Sequence, residues 1–210
     1  MSSLAILVPV KSAGVKSRLS SVLSTRARVE FSKLLLEDVL SVLSGAGLID
    51  VTHVVTPDRE TLRLARGFGA RGVAEEKDQG VNAAVQRGIK EAGHPERVLV
   101  IPSDLPLLQV SDMKEVLRLI SVGLDVVITP SQGFDGTNAL AFSPSSGLML
   151  SYDQNSFWNH LASAARKNLT TAVSCRRGLM FDVDSPQDFR MLARTSLARP
   201  SVQFARRNSP

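Results

Sequence analysis

Val98-Leu99-Val100-Ile101-Pro102-Ser103-Asp104-Leu105-Pro106-Leu107 is the stretch from which the fold is read. Val98 to Ile101 form an apolar, largely β-branched run without a polar break, the pattern of a buried strand. Pro102 ends it, because proline offers no N–H to a sheet ladder. Asp104 then sits between two prolines that restrict its backbone. In open α/β sheets, ligands bind beyond the carboxyl ends of the strands. Asp104 is therefore the first candidate functional residue: either a turn or cap aspartate, or a ligand for a hard cation such as Mg²⁺.

On either side, strands alternate with helices. Strands are expected at Ala5–Val10, Val51–Val55, Gly72–Ala74, Val126–Thr129, Ala139–Phe142, Ala172–Ser174 and Leu179–Asp182. Helical spacing runs through Thr25–Ser44, Glu60–Gly67, Val81–Ala92, Ser111–Ser121, Ser156–Ala165 and Pro186–Arg194. Thr25, Ser111 and Ser185 read as N-caps. The alternation implies βαβ units, right-handed crossovers and a mainly parallel sheet, in a domain of residues 1–195. The segment 196–210 differs. It is polar and basic with prolines at 200 and 210, and is expected to be disordered or to pack on a partner subunit. It carries no motif, so it is expected to be dispensable for chemistry.

Length and composition narrow the function classes. The 210 residues suit one domain, and 43% hydrophobic residues suffice for a core. One cysteine, Cys175, excludes an intrachain disulfide and a cysteine zinc site. The apolar run Leu4–Val10 is too short for a membrane span or signal core, so a cytoplasmic protein is expected. The net charge of +5 is either a solvated basic surface or a field that draws polyanions. No block interleaves aromatic and basic residues as a nucleic-acid platform would. His53, His94 and His160 show no zinc-binding spacing, and no nucleophile elbow is present.

After the first strand comes Pro9-Val10-Lys11-Ser12-Ala13-Gly14-Val15-Lys16-Ser17-Arg18-Leu19. Three cations around one glycine can meet phosphate oxygens, although neither a P-loop nor a dinucleotide fingerprint is present. Phe181-Asp182-Val183-Asp184-Ser185-Pro186 adds a second carboxylate pair, which strand alternation would put on one face. Asp184 or Ser185 could instead cap the next helix. Asp78-Gln79-Gly80-Val81-Asn82 offers a turn and a carboxamide able to read a base edge, or a plain helix cap. Asp135-Gly136-Thr137-Asn138 reads as a turn or a ligand loop, and Asn155-Ser156 as a cap or an anion site.

Taken in order, Pro-x-Lys…Lys-Ser-Arg-Leu, Gly-x-Asn, Pro-Ser-Asp-Leu-Pro, Asp-Gly-Thr-Asn, Asn-Ser-Phe and Asp-x-Asp-x-Pro resemble the 2-phospho-L-lactate guanylyltransferase family of coenzyme F420 biosynthesis, over roughly residues 4–192. The resemblance implies a single-domain, three-layer nucleotidyltransferase fold of the nucleotide-diphospho-sugar transferase type. It implies that GTP and 2-phospho-L-lactate give lactyl-2-diphospho-5′-guanosine and pyrophosphate, with phosphoenolpyruvate or 3-phosphoglycerate as acceptors in relatives. Carried over by position, Lys11, Gly14, Lys16 and Arg18 hold the triphosphate, and Gly80 and Asn82 lie near the nucleoside. Asp104, Asp184 and Asp182 hold Mg²⁺ or Mn²⁺, and Thr137, Asn138 and Ser156 meet the acceptor acid. Lys16, Arg18 and Asp104 are the expected catalytic groups. The opening loop has one glycine where related nucleotidyltransferases carry more. The partners expected are GTP, the phosphorylated acid and a second copy in a homodimer, with no nucleic acid and no membrane. The rival readings are a sugar-phosphate or molybdopterin-type nucleotidyltransferase, and a non-catalytic nucleotide- or RNA-binding protein.

Overall fold

The computed structural model describes residues 3–11 and 16–209. Among these residues, seven strands form one sheet in the order β3-β2-β1-β4-β6-β5-β7. They are β1 (Leu4–Pro9), β2 (Thr52–Thr56), β3 (Arg71–Ala74), β4 (Arg97–Val100), β5 (Val126–Pro130), β6 (Thr137–Phe142) and β7 (Thr171–Val173). β1 pairs in parallel with β2 and with β4, so the winding direction reverses between β1 and β4. That reversal opens a crevice beyond Pro9 and Val100. β6 runs antiparallel to both β4 and β5. Its first residues, Thr137 and Asn138, are thereby delivered to the same end of the sheet as the last residues of β4.

Among the described residues, eight α-helices surround the sheet: α1 (Thr25–Gly45), α2 (Arg59–Gly67), α3 (Val81–Glu91), α4 (Val110–Ser121), α5 (Ser156–Arg166), α6 (Arg177–Met180), α7 (Pro186–Ala193) and α8 (Pro200–Asn208). Strand alternation feeds two cores. Ile6, Val8, Val54 and Leu99 meet Leu36, Val39, Leu40 and Leu43 of α1, with Met113 and Val116 of α4. On the opposite face, Leu7, Val98, Val100 and Leu140 meet Val85 of α3 and Phe157 of α5. The result is a three-layer α/β/α domain, as expected. Among the described residues, no helix is long and apolar enough to cross a membrane.

Four local readings are corrected. The caps expected at Thr25 and Ser111 shift: the Ser24 hydroxyl accepts from the Ala27 N–H, and Gln109 with Asp112 forms a capping box for α4. Residues 137 and 138 belong to β6 rather than to a turn. The strand expected at Leu179–Asp182 is replaced by the short helix α6 and an unpaired extended segment. A Cβ on Gly178 would lie 2.7 Å from the Leu107 carbonyl oxygen and still nearer the Asp112 carboxylate, so α6 packs directly on the segment after Asp104. The Asp112 carboxylate also accepts from Arg176 Nε at 2.9 Å, which ties the α6 segment to α4. Finally, the tail is not disordered: residues 200–208 form α8. Pro200 begins α8, where a missing N–H costs nothing. Val202, Phe204 and Ala205 then join Phe31 of α1 and Phe189 of α7 in a third core, with Phe31 edge-on to Phe189 at 5.1 Å.

Candidate active site

A cleft of about 410 Å³ opens at the crevice between β1 and β4. That volume is within the range of small-molecule sites. Four pieces of chain converge there. The loop after β1 brings Lys11, Lys16 and Arg18, and the turn after β4 brings Asp104. The start of β6 brings Thr137 and Asn138, and the extended segment after α6 brings Asp182 and Asp184.

Lys16 is the centre of charge. Its backbone is left-handed, with φ 49°, a conformation that costs a residue with a Cβ and that the surroundings must hold. Its Nζ donates to Asp104 Oδ2 at 2.6 Å and to Asp184 Oδ1 at 2.9 Å. The Lys16 side chain is 10% exposed. Burial alone would lower its pKa, but the two carboxylates more than reverse that and raise it. The ammonium is therefore permanently charged. Arg18 is mostly solvent-facing and approaches Asp184 Oδ2 at 3.7 Å.

Asp184 and Asp182 differ in their charge balance. Burial works against Asp184, but the charges of Lys16, Arg18 and Lys11 outweigh it and hold its pKa below the usual range. Asp182 is pushed up to about 6, first by burial and then by the charge of Asp104. The Asn138 amide steadies it, donating to Asp182 Oδ1 at 3.1 Å and to the Met180 carbonyl at 3.0 Å. Ser185, not Asp184, caps α7, accepting from the Asp188 N–H at 3.2 Å, so Asp184 is left to face the cleft. Among the described residues, no three His, Cys, Asp or Glu side chains form a ready-made metal cage. The Lys16 ammonium itself lies between two of the expected ligands.

The other sequence-derived candidates scatter. Gly14 lies outside the described residues. Gly80 precedes α3 with φ 87°, and its neighbour Val81 lines the cleft. Asn82 commits its carbonyl oxygen to the Tyr152 N–H at 3.0 Å, which ties down the cleft wall. Ser156 opens α5 but is buried and outside the cleft lining. Tyr152 lines the cleft without having been singled out, because no motif surrounds it.

A crevice at a switch point, lined by fixed cations and converging carboxylates, suits a polyanionic substrate. Residues 4–199 match the family described as guanylyl transferase CofC like. The chain belongs to that family. The phosphoenolpyruvate guanylyltransferase of Rubrobacter xylanophilus is 38% identical over 189 residues, covering 89% of this chain and 91% of the relative. The 2-phospho-L-lactate guanylyltransferase of Methanosarcina mazei is 37% identical over 182 residues, covering 87% of this chain and 82% of the relative. A structure from Desulfovibrio desulfuricans G20 described as a nucleotide-diphospho-sugar transferase superposes with a TM-score of 0.79 at 17% identity, covering 99% of this chain and 96% of that one. The fold is that of nucleotidyltransferases, and the chain is a guanylyltransferase by family.

Proposed function

We propose that this cleft joins the guanylyl group of GTP to the phosphate of a small phosphorylated carboxylic acid, with 2-phospho-L-lactate as the first candidate, for coenzyme F420 biosynthesis. The products are lactyl-2-diphospho-5′-guanosine and pyrophosphate. The observation that carries the reading is the Lys16 ammonium clamped by Asp104 and Asp184 in a crevice that also presents Thr137 and Asn138. Both acids named for the relatives above carry phosphate on the carbon beside the carboxylate. Phosphoenolpyruvate is thus the closest alternative to 2-phospho-L-lactate.

The chemistry needs no general base. A phosphate monoester has a second pKa of ~6, so its attacking oxygen is already anionic at neutral pH. That oxygen attacks the α-phosphorus of GTP, the bond to the β-phosphate oxygen breaks, and pyrophosphate leaves with the electron pair. The barrier lies in bringing two polyanions together in line, which neutralisation and positioning lower. Lys11, Lys16 and Arg18 meet triphosphate oxygens. Mg²⁺ or Mn²⁺ would be held by one or two of the carboxylates Asp104, Asp184 and Asp182, with phosphate and water filling the rest of its shell. When bound, it supplies further neutralisation of the triphosphate.

The test is a panel of acceptors with GTP and Mg²⁺, read as pyrophosphate release. 2-Phospho-L-lactate and phosphoenolpyruvate are expected to turn over, and lactate to give nothing above background. Equal rates with lactate, or preference for a sugar phosphate, would sink the proposal.

A further inference from the structure

We infer that His160 is a positioning residue, which turns the Thr137 hydroxyl into an obligate hydrogen-bond donor aimed at the anionic acceptor. The inference rests on the guanylyl-transfer reading for the identity of that acceptor, and on geometry for the rest.

His160 is fully buried on α5. Its Nε2 lies 3.0 Å from the Ser151 backbone nitrogen, and that N–H can only donate. Nε2 is therefore the lone-pair nitrogen. Burial keeps the imidazole neutral, with its pKa pushed down to about 4. A neutral ring carries one proton, so it must be on Nδ1. Nδ1 lies 3.0 Å from Thr137 Oγ1 and donates to it. The threonine oxygen thus has an acceptor site filled, and its own proton has to go elsewhere. Thr137 makes no other side-chain hydrogen bond among the described residues, and it lines the cleft. On the cleft side the acceptor is water or a ligand oxygen, and an anionic phosphate or carboxylate oxygen takes a hydroxyl proton more strongly than water does.

The relay is braced. Asn82 accepts the Tyr152 N–H and His160 accepts the Ser151 N–H, so two successive amides of one wall are held from α3 and α5. The Tyr152 ring covers the imidazole edge-on at 4.9 Å and shields it from water. A histidine that showed no zinc-binding spacing is in this way connected to the substrate through one hydroxyl.

Two measurements test this. The first needs no activity: long-range ¹H–¹⁵N spectra of the parent protein should show His160 neutral and protonated on Nδ1 at pH 7. The opposite tautomer, or an imidazolium, would overturn the inference whatever the substrate proves to be. The second is a double-mutant cycle on steady-state KM. Thr137→Val is expected to raise KM for 2-phospho-L-lactate about ten- to a hundredfold, as for a lost hydrogen bond to a charged group, with KM for GTP nearly unchanged. His160→Leu should do the same, while His160→Asn, which keeps an N–H near Nδ1, should lose less. In the His160→Leu background, Thr137→Val should add little. Effects that multiply would mean that His160 does not act through Thr137. A parent that turns over no phosphorylated acid would count against the functional proposal and leave the tautomer result to stand on its own.

Discussion

Asp182 in the cleft and Asp38 beneath α8 have the same perturbation and opposite meanings. Burial is the largest cause in both, and both carboxyl groups are pushed up to about 6. Asp38 is 3% exposed on α1, accepts a hydrogen bond from the Ser201 hydroxyl and feels the charge of Arg199. Its surroundings are filled by the chain itself. Asp182 faces an open cleft beside Asp104 and Asp184, with a neutral amide as its hydrogen-bonding neighbour. A displaced pKa therefore does not mark a functional group by itself. What marks it is a crowd of like charges around space that a ligand can fill.

The sharpest way to break this contrast is to remove one charge from the crowd. Asp104→Asn keeps shape and loses the carboxylate that holds Lys16 at 2.6 Å. Transition-state neutralisation falls, so kcat/KM is expected to drop about a hundred- to a thousandfold. Folding should be intact by thermal melt, because the lost ion pair is offset by less repulsion with Asp182. A Mg²⁺ titration should show a raised metal requirement. Turnover within about threefold of the parent in a folded variant would make Asp104 a turn residue like any other.

How far the two regions were legible in the sequence follows from contact distance along the chain. β4 with Pro102 and Asp104 was readable, because the apolar run and its terminator are local. The cation loop was readable because it follows β1 directly, where the open-sheet rule applies; Asp182 and Asp184 reach the same cleft from an unpaired segment that the rule does not cover. The antiparallel course of β6 was not, because it depends on pairing with β4 and β5. α6 was misread because a short apolar stretch does not tell strand from buried helix, and the Arg176–Asp112 pair that seats it spans 64 positions. The helix α8 was not legible, because Pro200 punctuates a chain equally at a break or at a first helical turn. Nothing local announces that Ser201 meets Asp38, 163 positions away.

The tail region also touches the segment that follows Asp104, through Arg199. Its guanidinium donates to the Pro106 carbonyl at 2.7 Å and to the Leu108 carbonyl. Both carbonyls lie just after Asp104, so the tail clamps the turn that carries the candidate metal ligand. This clamp argues against a tail that is dispensable for chemistry. Arg199→Met should keep most of the packing and lose the charged donors, for a loss of about 1.5–3 kcal/mol of stability. A chain of this size should then melt several degrees lower. KM for Mg²⁺ should rise while KM for the acceptor changes less. An unaltered melt and metal titration would separate the tail from the site.

The smallest effect tests the structural member of the pair, and its sign is the informative part. The Asp38 carboxyl has a folded pKa of about 6 against an ordinary 3.8. Between those values the folded chain binds more protons than the unfolded one, so stability falls as pH rises. The favourable contribution is complete below 3.8 and is lost as pH passes through about 6. Above that, the ionised group costs on the order of 1–3 kcal/mol, because each tenfold change in proton affinity is worth about 1.4 kcal/mol. Asp38→Asn removes the cost and keeps an oxygen for the Ser201 hydroxyl, but gives up attraction to Arg199. Burial is the larger cause, so the variant should be more stable than the parent at pH 8, by about 1–2 kcal/mol. The advantage should vanish near pH 4, where the parent is protonated as well. Guanylyl transfer should be retained at both ends of the range, because no substrate approaches Asp38. Denaturant melts across pH 4–8 with an activity assay at each point decide it. A variant less stable at pH 8 would mean that the Arg199 attraction exceeds the cost of burial, making Asp38 a paired anion rather than a protonated anchor. A variant that is stable but inactive would erase the distinction between the two aspartates.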